Sequence, residues 1–89
     1  MDLDRAYRIS PNAAVRPENF GGLVYRHDNR RLYFIYSPEL VELLTGLEGL
    51  QSLKQALDGF LAGRSLAGSR EALVNALERL LKSGVLVEV

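Results

Sequence analysis

The sequence predicts an α+β fold: a three-stranded antiparallel sheet followed by three helices in a winged helix-turn-helix-like arrangement. Three observations predict it. Short β-rich runs separated by turn residues fill the first third of the chain. The remainder repeats apolar residues at helical spacing between capping signals. Strands first and helices after, within 89 residues, indicate one domain over 1–89 with a single modest core. A hydrophobic fraction of 47% and a charged fraction of 25% are those of a folded chain.

Residues 6–9 (AYRI) form the first short strand, and 13–16 are expected to continue the pairing. Pro17 should interrupt that ladder, because proline has no amide hydrogen to donate. The next runs, GLVYR over 22–26 and RLYFIY over 31–36, enclose His27-Asp28-Asn29-Arg30 and read as a hairpin. Alternation in the second run sends Leu32, Phe34 and Tyr36 to one face and Tyr33 and Ile35 to the other.

Ser37-Pro38-Glu39 opens the first helix: serine caps the free amides, proline suits the first helical position, and glutamate suits the positive end of the dipole. Leu40, Val41, Leu43, Leu44 and Leu47 form its apolar side until Gly46 and Gly49 loosen it. Ser52 caps a second helix with Leu53, Ala56, Leu57, Phe60 and Leu61 inward, stopped by Gly63. After a connector over 64–68, Ser69 opens the longest helix, to about Ser83. Leu73, Val74, Leu77, Leu80 and Leu81 point inward, Lys82 complements the dipole, and Gly84 supplies a left-handed cap. The tail, 85–89, is extended and a candidate wing strand.

Several function classes fall away. There are no cysteines, which removes disulfides, thiolate nucleophiles and sulfur-ligated metals and suits the cytosol. The N-terminus has no apolar run of signal-peptide type, and no stretch approaches the roughly 20 apolar residues of a membrane span. The single histidine, His27, lies in a turn with no second ligand at useful spacing. Asp58 and Glu48 have no matched carboxylate. The serines sit at caps and turns, and Gly21-Gly22 is no phosphate loop. No catalysis is expected. Eleven basic and 11 acidic residues balance, so no basic surplus favours nucleic acid.

The run over 31–36 carries the binding signal. It is apolar on both faces, whereas helices cover only one side of a small sheet. As an edge strand it would offer free amides and carbonyls to another chain, and strand addition would bind a peptide. The last helix would border such a groove along Arg70, Val74, Leu77 and Leu81. For Arg70 a solvated charge is the simpler reading, a partner for an acidic peptide side chain the functional one. A winged-helix nucleic-acid-binding protein is the alternative, disfavoured because Arg70, Glu71, Asn75, Glu78, Arg79 and Lys82 mix signs on the outer face. An exposed edge would also allow a homodimer.

The blocks Arg16-Pro17-Glu18-x-Phe20-Gly21, Tyr25, Arg31-Leu32-x-Phe34 and Ser37, with Leu80-Leu81 and Gly84-Val85-Leu86, resemble the mycofactocin-type peptide chaperones. These are a branch of the PqqD-like peptide-recognition domains (RiPP recognition elements) of ribosomal peptide maturation. The resemblance runs from Tyr7 to near the end, with the middle, 46–68, matching only as generic helix and loop. It implies a three-stranded sheet on three helices without cofactor or catalysis. It also implies that the leader of a precursor peptide binds as an added strand between the third strand and third helix, for delivery to a radical S-adenosylmethionine (SAM) maturase. That enzyme decarboxylates and crosslinks the Val-Tyr end of the precursor. Carried onto this sequence, the cleft is lined by Leu32, Tyr33, Phe34, Ile35 and Tyr36, with Arg70, Val74, Leu77 and Leu81 opposite. The Arg16-Pro17-Glu18 motif gains no role from the resemblance.

Overall fold

The N-terminal third folds into β1 (Tyr7–Ile9), β2 (Ala13–Glu18), β3 (Gly21–Arg26) and β4 (Leu32–Ile35). Helices α1 (Pro38–Gly46), α2 (Leu53–Leu61) and α3 (Ser69–Ser83) follow, and β5 (Leu86–Glu88) ends the chain. These bounds come from a computed structural model that describes residues 1–62 and 69–89. The expected stop at Gly63 and the connector over 64–68 lie outside the described residues.

The fold is α+β, with a three-stranded antiparallel sheet in the order β2-β3-β4 and three helices. The tail is extended, as its sequence indicates. It joins β1 in a separate two-stranded ribbon, with Tyr7 opposite Glu88 and Ile9 opposite Leu86, and does not extend the three-stranded sheet. The other side of β1 is bridged at Arg8 by Glu48.

Pro17 does not interrupt its ladder: β2 runs on to Glu18, with Pro17 opposite Gly22. The reason is parity. The His27 amide donates to the Asn12 carbonyl at 2.7 Å, and antiparallel pairs alternate between bonded and non-bonded. The bonded pairs of β2 and β3 are therefore Ala14 with Tyr25 and Arg16 with Leu23. Pro17 falls in a non-bonded pair, its nitrogen turned away from β3, so its missing hydrogen costs no ladder bond.

Only Asn19 and Phe20 separate β2 from β3. Gly21 has φ +144°, and a Cβ there would collide with the Ile35 carbonyl oxygen and stand 2.7 Å from the Ser37 nitrogen. The start of β3 is thereby pressed against the end of β4.

The helix signals act as read. Ser37 Oγ accepts from the Leu40 amide at 3.2 Å with Pro38 in the first turn. Ser52 and Gln55 form a reciprocal capping box, each bond 3.2 Å. At the end of α3, Gly84 takes φ +83°, and the Val85 and Gly84 amides donate to the Leu80 and Leu81 carbonyls at 3.0 and 3.2 Å. That bond pair is a Schellman motif, which only a left-handed residue completes without strain.

Leu44, Leu53, Leu57, Leu77, Leu86, Val24 and Val85 are the fully buried large side chains, drawn from all three helices, β3 and the start of the tail. At about 1.5–3 kcal/mol for each such side chain, this cluster is the main source of stability. It lies under the inner face of the three-stranded sheet and leaves the outer face bare.

Candidate functional site

The outermost strand next to α1 in sequence is β4, and its two faces differ as alternation requires. Ile35 is buried and Tyr33 half-buried against the core. Leu32, Phe34 and Tyr36 point outward with exposures of 49%, 54% and 76%. Three rings gather on that outer face. Phe20 lies 5.5 Å from Tyr36 and 6.3 Å from Phe34, and Phe34 and Tyr36 stack at 6.4 Å with 15° between planes. Leu23 stands opposite Phe34, and Tyr25, also exposed, stands opposite Leu32.

The two edges of the sheet are unlike. Along β2 the outward backbone positions are Ala13, Val15 and Pro17 by the parity above. The Ala13 amide is taken by the Ser10 carbonyl at 2.9 Å and Pro17 has none, so Val15 alone offers a donor. A charged pair, Arg16 with Glu18 at 2.6 Å, adds to this edge. Proline and charge are the usual means of closing an edge to other strands.

On β4 neither is present. The Arg26 amide donates to the Arg31 carbonyl at 2.9 Å, so alternation assigns Tyr33 and Ile35 to bonds with β3. The amides and carbonyls of Leu32 and Phe34 therefore face outward. Among the described residues no backbone group bonds to that side.

The residues expected on α3 separate into core and margin. Leu77 is fully buried, as Leu73 and Leu80 nearly are, so Leu77 belongs to the core and has no surface for a guest. The same correction applies to Ile35, at 7% exposure. Val74 and Leu81, two turns apart, are only partly buried and remain as apolar margin. Arg70, whose side chain is 41% exposed, is not a free charge: its Nη1 holds Asp58 Oδ1 of α2 at 2.6 Å.

Arg26 connects the hairpin to α3. Its Nη1 donates to the Ser83 carbonyl at 2.5 Å, while Nη2 and Nε hold the Asp28 carboxylate at 2.5 and 3.1 Å. A cation at the C-terminal end of a helix is where the macrodipole favours one. The Asp28 carboxyl is lowered from its ordinary value, chiefly by the hydrogen bond from Arg26. Beyond that pair, Arg30, with φ +59°, and Arg31 are exposed and hold no side-chain ion pair among the described residues.

His27 is exposed and packs edge-on to Tyr25 at 5.1 Å, and no metal-ligating cluster occurs among the described residues. Two shallow clefts, of about 320 and 200 Å³, lie around Gly46, Leu47, Gln51 and Ala56 and include no residue of β4 or α3. No described helix is long and apolar enough to cross a membrane.

Sequence reasoning missed the role of Phe20 and Tyr25 in the outer patch. The signal was present in Asn19-Phe20-Gly21, where Asn19 and Phe20 make a two-residue turn closed by Gly21 that brings Phe20 beside the β4 rings.

The family model described as the peptide chaperone MftB family matches residues 6–87, which include every element above except the last residue of β5. The chain is similar to peptide chaperone MftB of Mycolicibacterium smegmatis, with 32% identity over 98% of this chain and 82% of the relative. It is similar to peptide chaperone MftB of Mycobacterium tuberculosis, with 34% identity over 66% of this chain and 54% of the relative. A third relative, from Mycobacterium ulcerans, shows 32% identity over 63% of this chain and 51% of its own length. The matched region thus spans about half the length of two of these relatives. No solved structure gives a significant match.

Proposed function

The chain belongs to the peptide chaperone MftB family, and from that premise we propose that it captures the leader of a ribosomally made precursor peptide by strand addition at β4. It then presents the bound peptide to a radical SAM maturase in mycofactocin-type cofactor biosynthesis, acting in the cytoplasm without cofactor or catalysis of its own. The helices serve as a winged helix-turn-helix-like frame, with Val74 and Leu81 as the second wall of the groove.

The observation that carries this reading is the contrast between edges: β2 is closed by proline and charge, while β4 leaves Leu32 and Phe34 unpaired beside apolar side chains. Magnitudes say why both backbone and side chains are needed. Pairing at two residues makes about four hydrogen bonds, each worth about 1 kcal/mol net. Ordering the backbone of a guest costs about 1–2 kcal/mol per residue, so backbone bonds alone cannot hold it. Burial against Leu32, Phe34, Val74 and Leu81, at about 25 cal/mol per Å², must supply the remainder.

The test is a salt titration of leader-peptide and duplex-DNA binding. Peptide affinity should change by less than about tenfold between 50 and 500 mM salt, because burial and backbone bonds dominate it. Tight DNA binding that collapses over the same range, with no peptide binding, would replace this reading with a nucleic-acid one.

A further inference from the structure

We propose that the captured segment is acidic at one end only, the end that lies beside Arg30 and Arg31, and apolar along the stretch that pairs with β4. This rests on the strand-addition reading and adds to it the chemical class of the ligand.

The charges around the edge are disposed for it. Of the cations near the groove, Arg26 is committed to Asp28 and the Ser83 carbonyl, and Arg70 to Asp58. Arg30 and Arg31, immediately before Leu32, are exposed and hold no side-chain ion pair among the described residues. The turn from Arg26 to Arg31 therefore carries a local surplus of two positive charges at the entry of β4. At the exit the sign reverses. Glu39 stands in the first turn of α1, and the free amide of Leu40 is already served by Ser37 Oγ at 3.2 Å. A strand laid along β4 meets positive charge at one end, apolar side chains in the middle and negative charge at the other.

Long-range attraction is not the source of this preference, because 11 basic and 11 acidic residues leave the chain neutral overall. The selectivity is local, so it depends on which end of the guest bears the acids. Arg31 shares the strand parity of Tyr33 and Ile35, and adjacent strands lie about 4.8 Å apart. An arginine side chain therefore spans easily to a carboxylate on the guest. Exposed pairs of this kind are weak and screened by salt, so they set polarity and register and leave the bulk of affinity to burial.

The experiment uses the full chain and three synthetic peptides sharing a six-residue core of alternating valine and threonine. Two glutamates are placed before the core, after it, or replaced by glutamines. Binding is measured by fluorescence anisotropy at low and high salt, with the parent protein and with an Arg30→Asn, Arg31→Gln double variant. Asparagine is chosen because it tolerates the left-handed backbone at position 30. One acidic peptide, and not the other, should bind about three- to tenfold more tightly than the glutamine peptide at low salt. That gain should vanish in the double variant and in about 0.5 M salt. Equal gains for both acidic peptides, no gain for either, or a gain that survives the double variant would each overturn the polarity while leaving strand capture intact. If no peptide of the series binds, strand capture itself fails and the polarity with it.

Discussion

Arg26 and Ser83, 57 positions apart in sequence, are joined by a 2.5 Å hydrogen bond from the guanidinium to the last carbonyl of α3. The bond ties the β3–β4 hairpin to the C-terminal end of α3, the helix proposed above as the second wall of the groove. Asp28 holds the same guanidinium from the other side, so three groups fix the hairpin and the helix end relative to each other.

That arrangement makes a pH prediction. The Asp28 carboxyl lies below its ordinary value of 3.8, chiefly through its bond from Arg26. A depressed carboxyl stabilises the fold fully above its unfolded value and loses that contribution as pH falls through its folded value. The parent should therefore melt above an Asp28→Asn variant at pH 5–7, with the gap closing below about pH 3.8. Thermal melts across that range check it, and a gap that widens on acidification would contradict it.

Leu77 and Phe34 should respond in opposite ways. Leu77 is fully buried, so Leu77→Ala should cost about 2–5 kcal/mol of stability. Phe34 is 54% exposed, so Phe34→Ala should change stability by no more than about 0.5 kcal/mol. Its loss should instead weaken leader binding by about tenfold, the scale of an apolar anchor. Urea denaturation and a binding titration on both variants separate the two effects, and unimpaired binding by the Phe34 variant would remove the outer face from the site.

How much of this was readable in advance depends on how local the cause is. Ser37, Ser52 and Gly84 cap their helices because a cap is decided within a few residues, and the alternation of Leu32, Tyr33, Phe34 and Ile35 is fixed by the pleat. Pro17 defeats a local reading because whether a proline breaks a ladder depends on register parity, which the partner strand sets. The tail's pairing with β1 joins residues as far apart as Tyr7 and Glu88, and no local pattern announces it. On α3, Leu73, Val74, Leu77, Leu80 and Leu81 form one wide apolar arc. Its division into core and margin follows from which elements cover it, so Leu77 could not be told from Val74 by spacing. The Arg70–Asp58 pair likewise needs α2 and α3 placed side by side.

The remaining wall is tested by Val74→Glu and Leu81→Glu. Both side chains are only partly buried, so the variants should stay folded by circular dichroism. A carboxylate facing the groove must be desolvated when a guest covers it, at a cost of at least about 1–3 kcal/mol. Leader affinity should therefore fall about tenfold or more in each. Two folded variants that bind normally would move the groove away from α3.

Gly21 reports on the coupling between the turn and the edge strand. Its φ of +144° and its closeness to the Ile35 carbonyl and the Ser37 nitrogen leave no room for a methyl group. Gly21→Ala should destabilise the fold by more than about 1 kcal/mol, since the native conformation is closed to alanine. The strain falls where β4 hands over to α1, so the Leu40 amide should also lose protection as the Ser37 cap shifts. Denaturation and amide exchange together check this, and an alanine variant as stable as the parent would mean that β3 and β4 do not approach so closely.

The edge itself makes the sharpest demand. Parity assigns the amides of Tyr33 and Ile35 to β3 and those of Leu32 and Phe34 to the open side. In the free protein, hydrogen exchange should be slow at Tyr33 and Ile35 and fast at Leu32 and Phe34. A guest strand bonds to the second pair alone, so adding leader peptide should slow Leu32 and Phe34 by at least tenfold and leave the first pair nearly unchanged. A peptide lying across the outer rings without pairing would bury Phe34 and Tyr36 yet leave both edge amides fast. Alternate-residue protection thus distinguishes strand addition from docking on the aromatic face, and saturation without it would rule strand addition out.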